Sequence, residues 1–111
     1  MGQQDGYGTL TPAEAQAAIS DDPDLVVLDV RTPEEYMVHH IPGARLCPLD
    51  SLSARASELD PHLRYLVVCE HGVRSEMAAR FLAQSGFTSL EHMSGGMAAY
   101  PGPTEFGPAN Y

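Results

Sequence analysis

Lysine is absent from this chain, and six arginines stand against fifteen acidic residues, for a formal charge of −9 over 111 residues. Nucleic-acid binding needs a basic patch that neutralises phosphates, so this balance excludes a nucleic-acid role. A small anion can still be held, but only locally, by backbone N–H groups and at most an arginine. Long apolar runs are missing as well: none approaches the roughly 20 residues that a bilayer requires. Met1-Gly2-Gln3-Gln4-Asp5-Gly6 has neither the basic nor the apolar region of a secretory leader. Cysteine is scarce, with Cys47 and Cys69 alone, too few for a secreted disulfide scaffold. The expectation is a soluble, cytoplasmic protein with no membrane contact and two free thiols.

What is present suffices for one domain. Apolar residues make up 43% of the chain, enough for one modest core and too little length for two. Residues 1–8 are polar and glycine-rich and read as a loose lead-in, residues 9–100 as the domain, and residues 101–111, with Pro101, Pro103 and Pro108, as an irregular tail. Thr11-Pro12-Ala13-Glu14 combines a capping threonine, a proline for the first helical position and a capping-box glutamate, and Thr32-Pro33-Glu34-Glu35 repeats the pattern. Leu25–Leu28 and Leu66–Cys69 are short unbroken apolar runs, the mark of strands buried on both faces. Residues 45–49 suggest a short strand, Leu52–Leu59 a helix and Ser89–His92 a last strand. Ser75–Ser85 is the clearest helix, with Met77, Ala78, Phe81 and Leu82 on one face and Gly86 placed to stop it. Alternating strands and helices predict an α/β domain with a mostly parallel sheet of about five strands and helices on both faces.

In open α/β sheets, ligands gather where strands end and helices begin. Between Cys69, ending a strand, and Ser75, opening a helix, lies Glu70-His71-Gly72-Val73-Arg74. With glycine at its centre this loop can curl so that its N–H groups converge on an anion nest. The helix N-terminus adds unpaired N–H groups and the positive end of its dipole, so negative charge on a sulfur at the rim is stabilised. Arg74 either adds positive charge there or turns away to pin the loop. Ser75 suits the helix cap and can donate to a bound sulfur.

Cys69-Glu70-His71-Gly72-Val73-Arg74-Ser75 resembles the active-site loop of the rhodanese family. Asp29-Val30-Arg31 with Glu34-Glu35-Tyr36, His40-Ile41-Pro42-Gly43-Ala44 and Gly95-Gly96-Met97-Ala98-Ala99-Tyr100 are similar to three further family segments in family order, with Tyr100 where members usually carry tryptophan. The resemblance covers residues 9 to about 100. It implies a rhodanese-like fold and a sulfurtransferase. Cys69 takes sulfane sulfur from a donor as a persulfide and passes it to cyanide, a thiol or a partner protein, and residues 70–75 form the cradle. The donor is a small sulfur-containing anion such as thiosulfate, or a persulfide. Members that favour thiosulfate often carry more basic loop positions than Glu70 and His71, which leaves the choice of donor open. A sulfur-relay protein is a possible partner; no cofactor or metal is implied.

Two other classes fit the sequence less well. Cysteine phosphatases and arsenate reductases on a related fold use a loop of Cys, five residues, then Arg, whereas four residues separate Cys69 from Arg74, a nest sized for sulfur rather than phosphate. A non-catalytic binding module would have no need of the loop cysteine. Cys69 and His71 alone are a weak metal signal. Cys47 reads as a packed residue near Pro48 rather than a resolving thiol. Asp29 and Arg31 are expected to tie the strand end to the next helix.

Overall fold

The two apolar runs of the sequence lie side by side in the middle of a five-stranded sheet. In the computed structural model, which describes residues 6–108 and 110–111, the order along the chain is β1 (Gly8–Leu10), α1 (Pro12–Asp21), β2 (Val26–Asp29), α2 (Pro33–Val38), β3 (Arg45–Leu46), α3 (Leu52–Arg55), β4 (Tyr65–Val68), α4 (Val73–Gln84) and β5 (Leu90–Met93). The sheet order is β1-β5-β4-β2-β3 and every pairing is parallel. Parallel strands bring all their C-terminal ends to one edge, where the connecting loops meet.

Side chains alternate across a strand, so each central strand serves two cores. Leu28, Tyr65 and Val67 face α3 and α4, packing with Leu52, Ala78, Ala79 and Leu82. Val27, Leu66 and Val68 face the other way, with Ala15 of α1, Tyr36 of α2 and Leu46. Fully buried leucines such as Leu28, Leu66 and Leu82 each contribute on the order of 1.5–3 kcal/mol. Helices therefore cover both faces, as the alternating pattern predicted. Both capping boxes form: Thr11 Oγ1 accepts from Glu14 N–H and Thr32 Oγ1 from Glu35 N–H, and each glutamate accepts from its threonine's N–H. Among the described residues no helix is long and apolar enough to cross a membrane.

Three expectations need correction. Tyr7 and Gly8, read as lead-in, belong to the fold: Tyr7 is 6% exposed and Gly8 opens β1, paired with Glu91; residues 1–5 of that segment lie outside the described residues. A three-residue strand has no periodicity to read, and its partner is distant in sequence. The helix expected over Leu52–Leu59 is one α-turn flanked by 3-10 turns at Leu49–Ser51 and Ala56–Glu58. Helix α4 starts at Val73, two residues before Ser75, and buries Ser75, Ala78, Ala79 and Leu82, so Met77 points outward at 55% exposure. That stripe follows i, i+3, i+4, i+7 counted from Ser75. The tail is irregular but tied down: His40 and Glu105 exchange backbone hydrogen bonds of 2.9 Å, and Leu46 N–H donates to Asn110 O at 2.7 Å.

Candidate active site

Strands β2 and β4 are neighbours, with Asp29 in register with Val68 and Val30 N–H donating to Val68 O at 3.0 Å. The connections leaving them therefore face each other at the C-terminal edge of the sheet. Cys69 follows β4 directly and is 1% exposed. The loop is short: Gly72, at φ +96°, is the N-cap of α4, and Val73 and Arg74 already lie in the helix. This left-handed turn, open to glycine at little cost, folds the chain back over the sulfur. Cys69 Sγ accepts hydrogen bonds from Gly72 N–H at 3.0 Å and Ser75 N–H at 3.2 Å. The first N–H groups of a helix have no intrahelical acceptor, and here the sulfur takes up that role.

A second loop supports the first. Met97 N–H donates to Cys69 O at 2.8 Å and Ala98 N–H to Glu70 O at 3.0 Å. Gly96, at φ +68°, is pressed against the Glu70–His71 peptide so closely that no Cβ fits. The glycine pair after β5 thus acts as a platform for the loop.

Ser75 is not the cap. It occupies the third helical position, where its N–H reaches the sulfur while its hydroxyl lies 3.2 Å from Gly72 O and 3.0 Å from His92 Nδ1. With the hydroxyl proton on the Gly72 carbonyl, Nδ1 carries the proton donated to Ser75 Oγ. Reading by residue type missed His92; the only signal was a histidine inside the short strand Leu90–Met93. Burial pushes the His92 imidazole below its ordinary value of 6.5, so it is neutral at pH 7. A buried neutral histidine stabilises the fold above the unfolded pKa, and that stability is lost as pH falls from about 6.5 toward the depressed folded value. The melting temperature is expected to drop between pH 7 and pH 5, and less so in His92→Gln; parallel melts of the two proteins check this.

Arg74 turns away from the sulfur. Its Nη1 and Nη2 donate to Glu35 Oε1 and Oε2 at 2.7 and 2.9 Å, so of the two roles left open by the sequence it takes the one of pinning the loop. Glu35 also accepts from Thr32 N–H at 2.9 Å, so one carboxylate caps α2 and clamps the start of α4. The Arg74 guanidinium holds the Glu35 carboxyl down at about 2. The group is depressed, so its contribution is complete above the ordinary carboxylate range and lost only as pH falls toward 2. Glu35→Ala is expected to slow reaction at Cys69 about tenfold, by loss of positioning. Arg74→Lys is expected to mimic it, because an ammonium cannot form the two-point fork. Iodoacetamide labelling rates of Cys69 from pH 5 to pH 8 check both.

Glu70 is held in turn by Arg31, whose Nη1 donates to it at 3.0 Å. Buried Arg31 also binds both oxygens of Asp29 and donates to His39 O at 2.7 Å, joining strand end, helix end and loop. His71 is exposed, and Val73 is 67% exposed beside it. Cys47 is a free, fully buried thiol that burial pushes up, which suits packing rather than exchange. Among the described residues, no three His, Cys, Asp or Glu side chains cluster to hold a metal ion.

Comparison with known proteins agrees with this geometry. The model of the rhodanese-like domain matches residues 11–101. The thiosulfate sulfurtransferase GlpE of Pseudomonas fluorescens is 36% identical over 107 residues, covering 91% of this chain and 94% of its own. The putative sulfur carrier protein YrkF of Bacillus subtilis is 40% identical over 87 residues, covering 78% of this chain; the match spans about half (47%) of that relative's length. A crystal structure of a rhodanese-related protein from Thermoplasma volcanium superposes with a TM-score of 0.81 at 27% identity, covering 89% of this chain and 98% of that one. The match takes in β2, β4, the cysteine loop and the supporting glycines in one continuous stretch, and on that ground the chain belongs to the rhodanese-like family.

Proposed function

We propose that this protein is a sulfurtransferase that carries sulfane sulfur on Cys69 as a persulfide. The observation that carries the reading is the Cys69 sulfur seated at the N-terminus of α4 under the N–H groups of Gly72 and Ser75. Donors aimed at a sulfur stabilise negative charge there, both on the attacking thiolate and on a persulfide anion. The relatives named as thiosulfate sulfurtransferase and sulfur carrier support sulfur transfer as the class of chemistry.

The reaction is two displacements. The Cys69 thiolate attacks the outer sulfur of thiosulfate; a bond forms to Sγ, the sulfur–sulfur bond of the donor breaks, and sulfite leaves with the electron pair. A nucleophile such as cyanide then attacks the outer sulfur of the persulfide, the pair returns to Sγ, and thiocyanate leaves. This is covalent catalysis of the ping-pong kind, and it needs no bound cofactor. A persulfide donor loads Cys69 by the same attack with a thiolate as leaving group.

Phosphoryl transfer fits less well. Its loop would need a guanidinium free to grip two phosphate oxygens, and Arg74 is committed to Glu35. The test is intact-protein mass spectrometry after incubation with thiosulfate, and separately with glutathione persulfide. The expected result is a gain of one sulfur atom that cyanide discharges. Failure of both donors to load the protein would overturn the reading.

A further inference from the structure

Beside the cysteine loop runs a groove that the chemistry above leaves unused. Val30 follows β2, one strand spacing from Cys69, because Asp29 is in register with Val68. With Thr32, Pro48, Leu49, Asp50 and Arg74 it lines a cavity of about 320 Å³. A second cavity of about 550 Å³ shares Thr32, Pro48 and Asp50 and adds Glu34, Arg55 and Tyr111. The two form one trough leading away from the loop, larger than an aminothiol requires and suited to several residues of extended chain.

Pairing decides the charge of this trough. Arg74 is held by Glu35, Arg31 lies between Asp29 and Glu70, and Arg55 pairs with Glu58. Asp50 and Glu34 are exposed, and among the described residues neither has an ion-pair partner. The cations are neutralised, two carboxylates are left over, and apolar Val30, Pro48 and Leu49 share the lining with them. A dianion entering here meets no compensating charge, whereas a cationic chain does.

Resting on the sulfur-transfer reading, we propose that this trough seats a cationic, extended segment of a protein thiol, a cysteine flanked by arginine or lysine, whose sulfur exchanges with Cys69. In discharge, the thiolate of that cysteine attacks the outer sulfur of the Cys69 persulfide. The bond to Sγ breaks with its electron pair returning to Sγ, the partner leaves as the persulfide, and its thiol proton has gone to solvent.

Two synthetic peptides of equal length, one cysteine flanked by arginines and the other by glutamates, test the assignment. Each discharges persulfide-loaded protein, with the rate divided by that for cyanide on the same variant. At low salt the arginine peptide is expected to react about tenfold faster, the scale of steering by a charged cleft. The preference should shrink with added salt in the wild type and several-fold in the Asp50→Asn, Glu34→Gln double variant. Equal rates for the two peptides would overturn the proposal. So would cysteamine matching the arginine peptide with the same dependence on Asp50, since a lone amine would then suffice. Fluorescence anisotropy with serine in place of the peptide cysteine reads the trough without sulfur chemistry. If Cys69 cannot be loaded, the sulfur-transfer reading fails. Tighter arginine-peptide binding that the double variant loses then still supports the trough, and equal binding overturns it.

Discussion

Cys69→Ala is expected to abolish sulfur loading and reduce cyanide discharge to the uncatalysed background, a loss of at least about a thousandfold for removal of a covalent nucleophile. The fold should survive. The side chain sits within the core that α3 and α4 close, so its removal costs on the order of 1–2 kcal/mol of packing, with the Gly72 and Ser75 N–H groups also losing their acceptor. A melting temperature lower by several degrees follows. Cys69→Ser separates the two effects: its hydroxyl can still accept from those N–H groups, so it should melt closer to wild type yet carry no sulfur. Cys47→Ala should load normally, because the N–H donors that stabilise a thiolate and a persulfide gather on Cys69 Sγ, whereas burial pushes the Cys47 thiol up. Intact mass and thermal melts on the three variants decide the matter. Transfer by Cys69→Ala at an unchanged rate would remove Cys69 from the mechanism.

The largest effect on stability is expected at Gly96. Its backbone is at φ +68° and ψ −168°, a region that side chains hardly enter. An alanine Cβ there would overlap the Glu70 carbonyl and stand 2.5 Å from His71 N, where contacts under 3.0 Å are essentially never seen. These are backbone atoms of the cysteine loop, and no flexible side chain can swing aside. Strain and overlap together should cost about 2–5 kcal/mol, and relief requires the loop to move off its platform. Gly96→Ala should therefore melt more than about 10 °C lower and load sulfur at least tenfold more slowly. Gly43 is the control: it also has positive φ, at +83°, but a Cβ there meets nothing within 4 Å. Gly43→Ala should show only the backbone penalty, about 1 kcal/mol, with normal loading. Equal melting of the two variants would refute the close approach.

The parts of this protein that were legible in its sequence are those whose physics is local. A capping box joins residues three apart, so Thr11 with Glu14 and Thr32 with Glu35 announce α1 and α2 without knowledge of the fold. Four unbroken apolar residues, too few for a helix and rich in β-branched types, fit a buried strand best, which located β2 and β4, and the cysteine loop lies between one of them and its helix. What stayed hidden is contact between residues far apart in the chain. Arg74 had two reasonable uses, and the choice fell to Glu35, 39 residues away, whose capping role was visible but whose second partner was not. His92 meets Ser75 only because β5 lies beside β4, and Gly96 meets Glu70 only because the turn after β5 folds over the loop. The start of α4 lies two residues before Ser75 for a more local reason. Ser75 looks like a cap from its neighbours, but the left-handed turn at Gly72 and the sulfur acceptor of Cys69 let the helix begin earlier. Short-range hydrogen bonding is written in adjacent residue types, whereas long-range pairing depends on which strands are neighbours, and the packing of the whole chain into one layered core decides that.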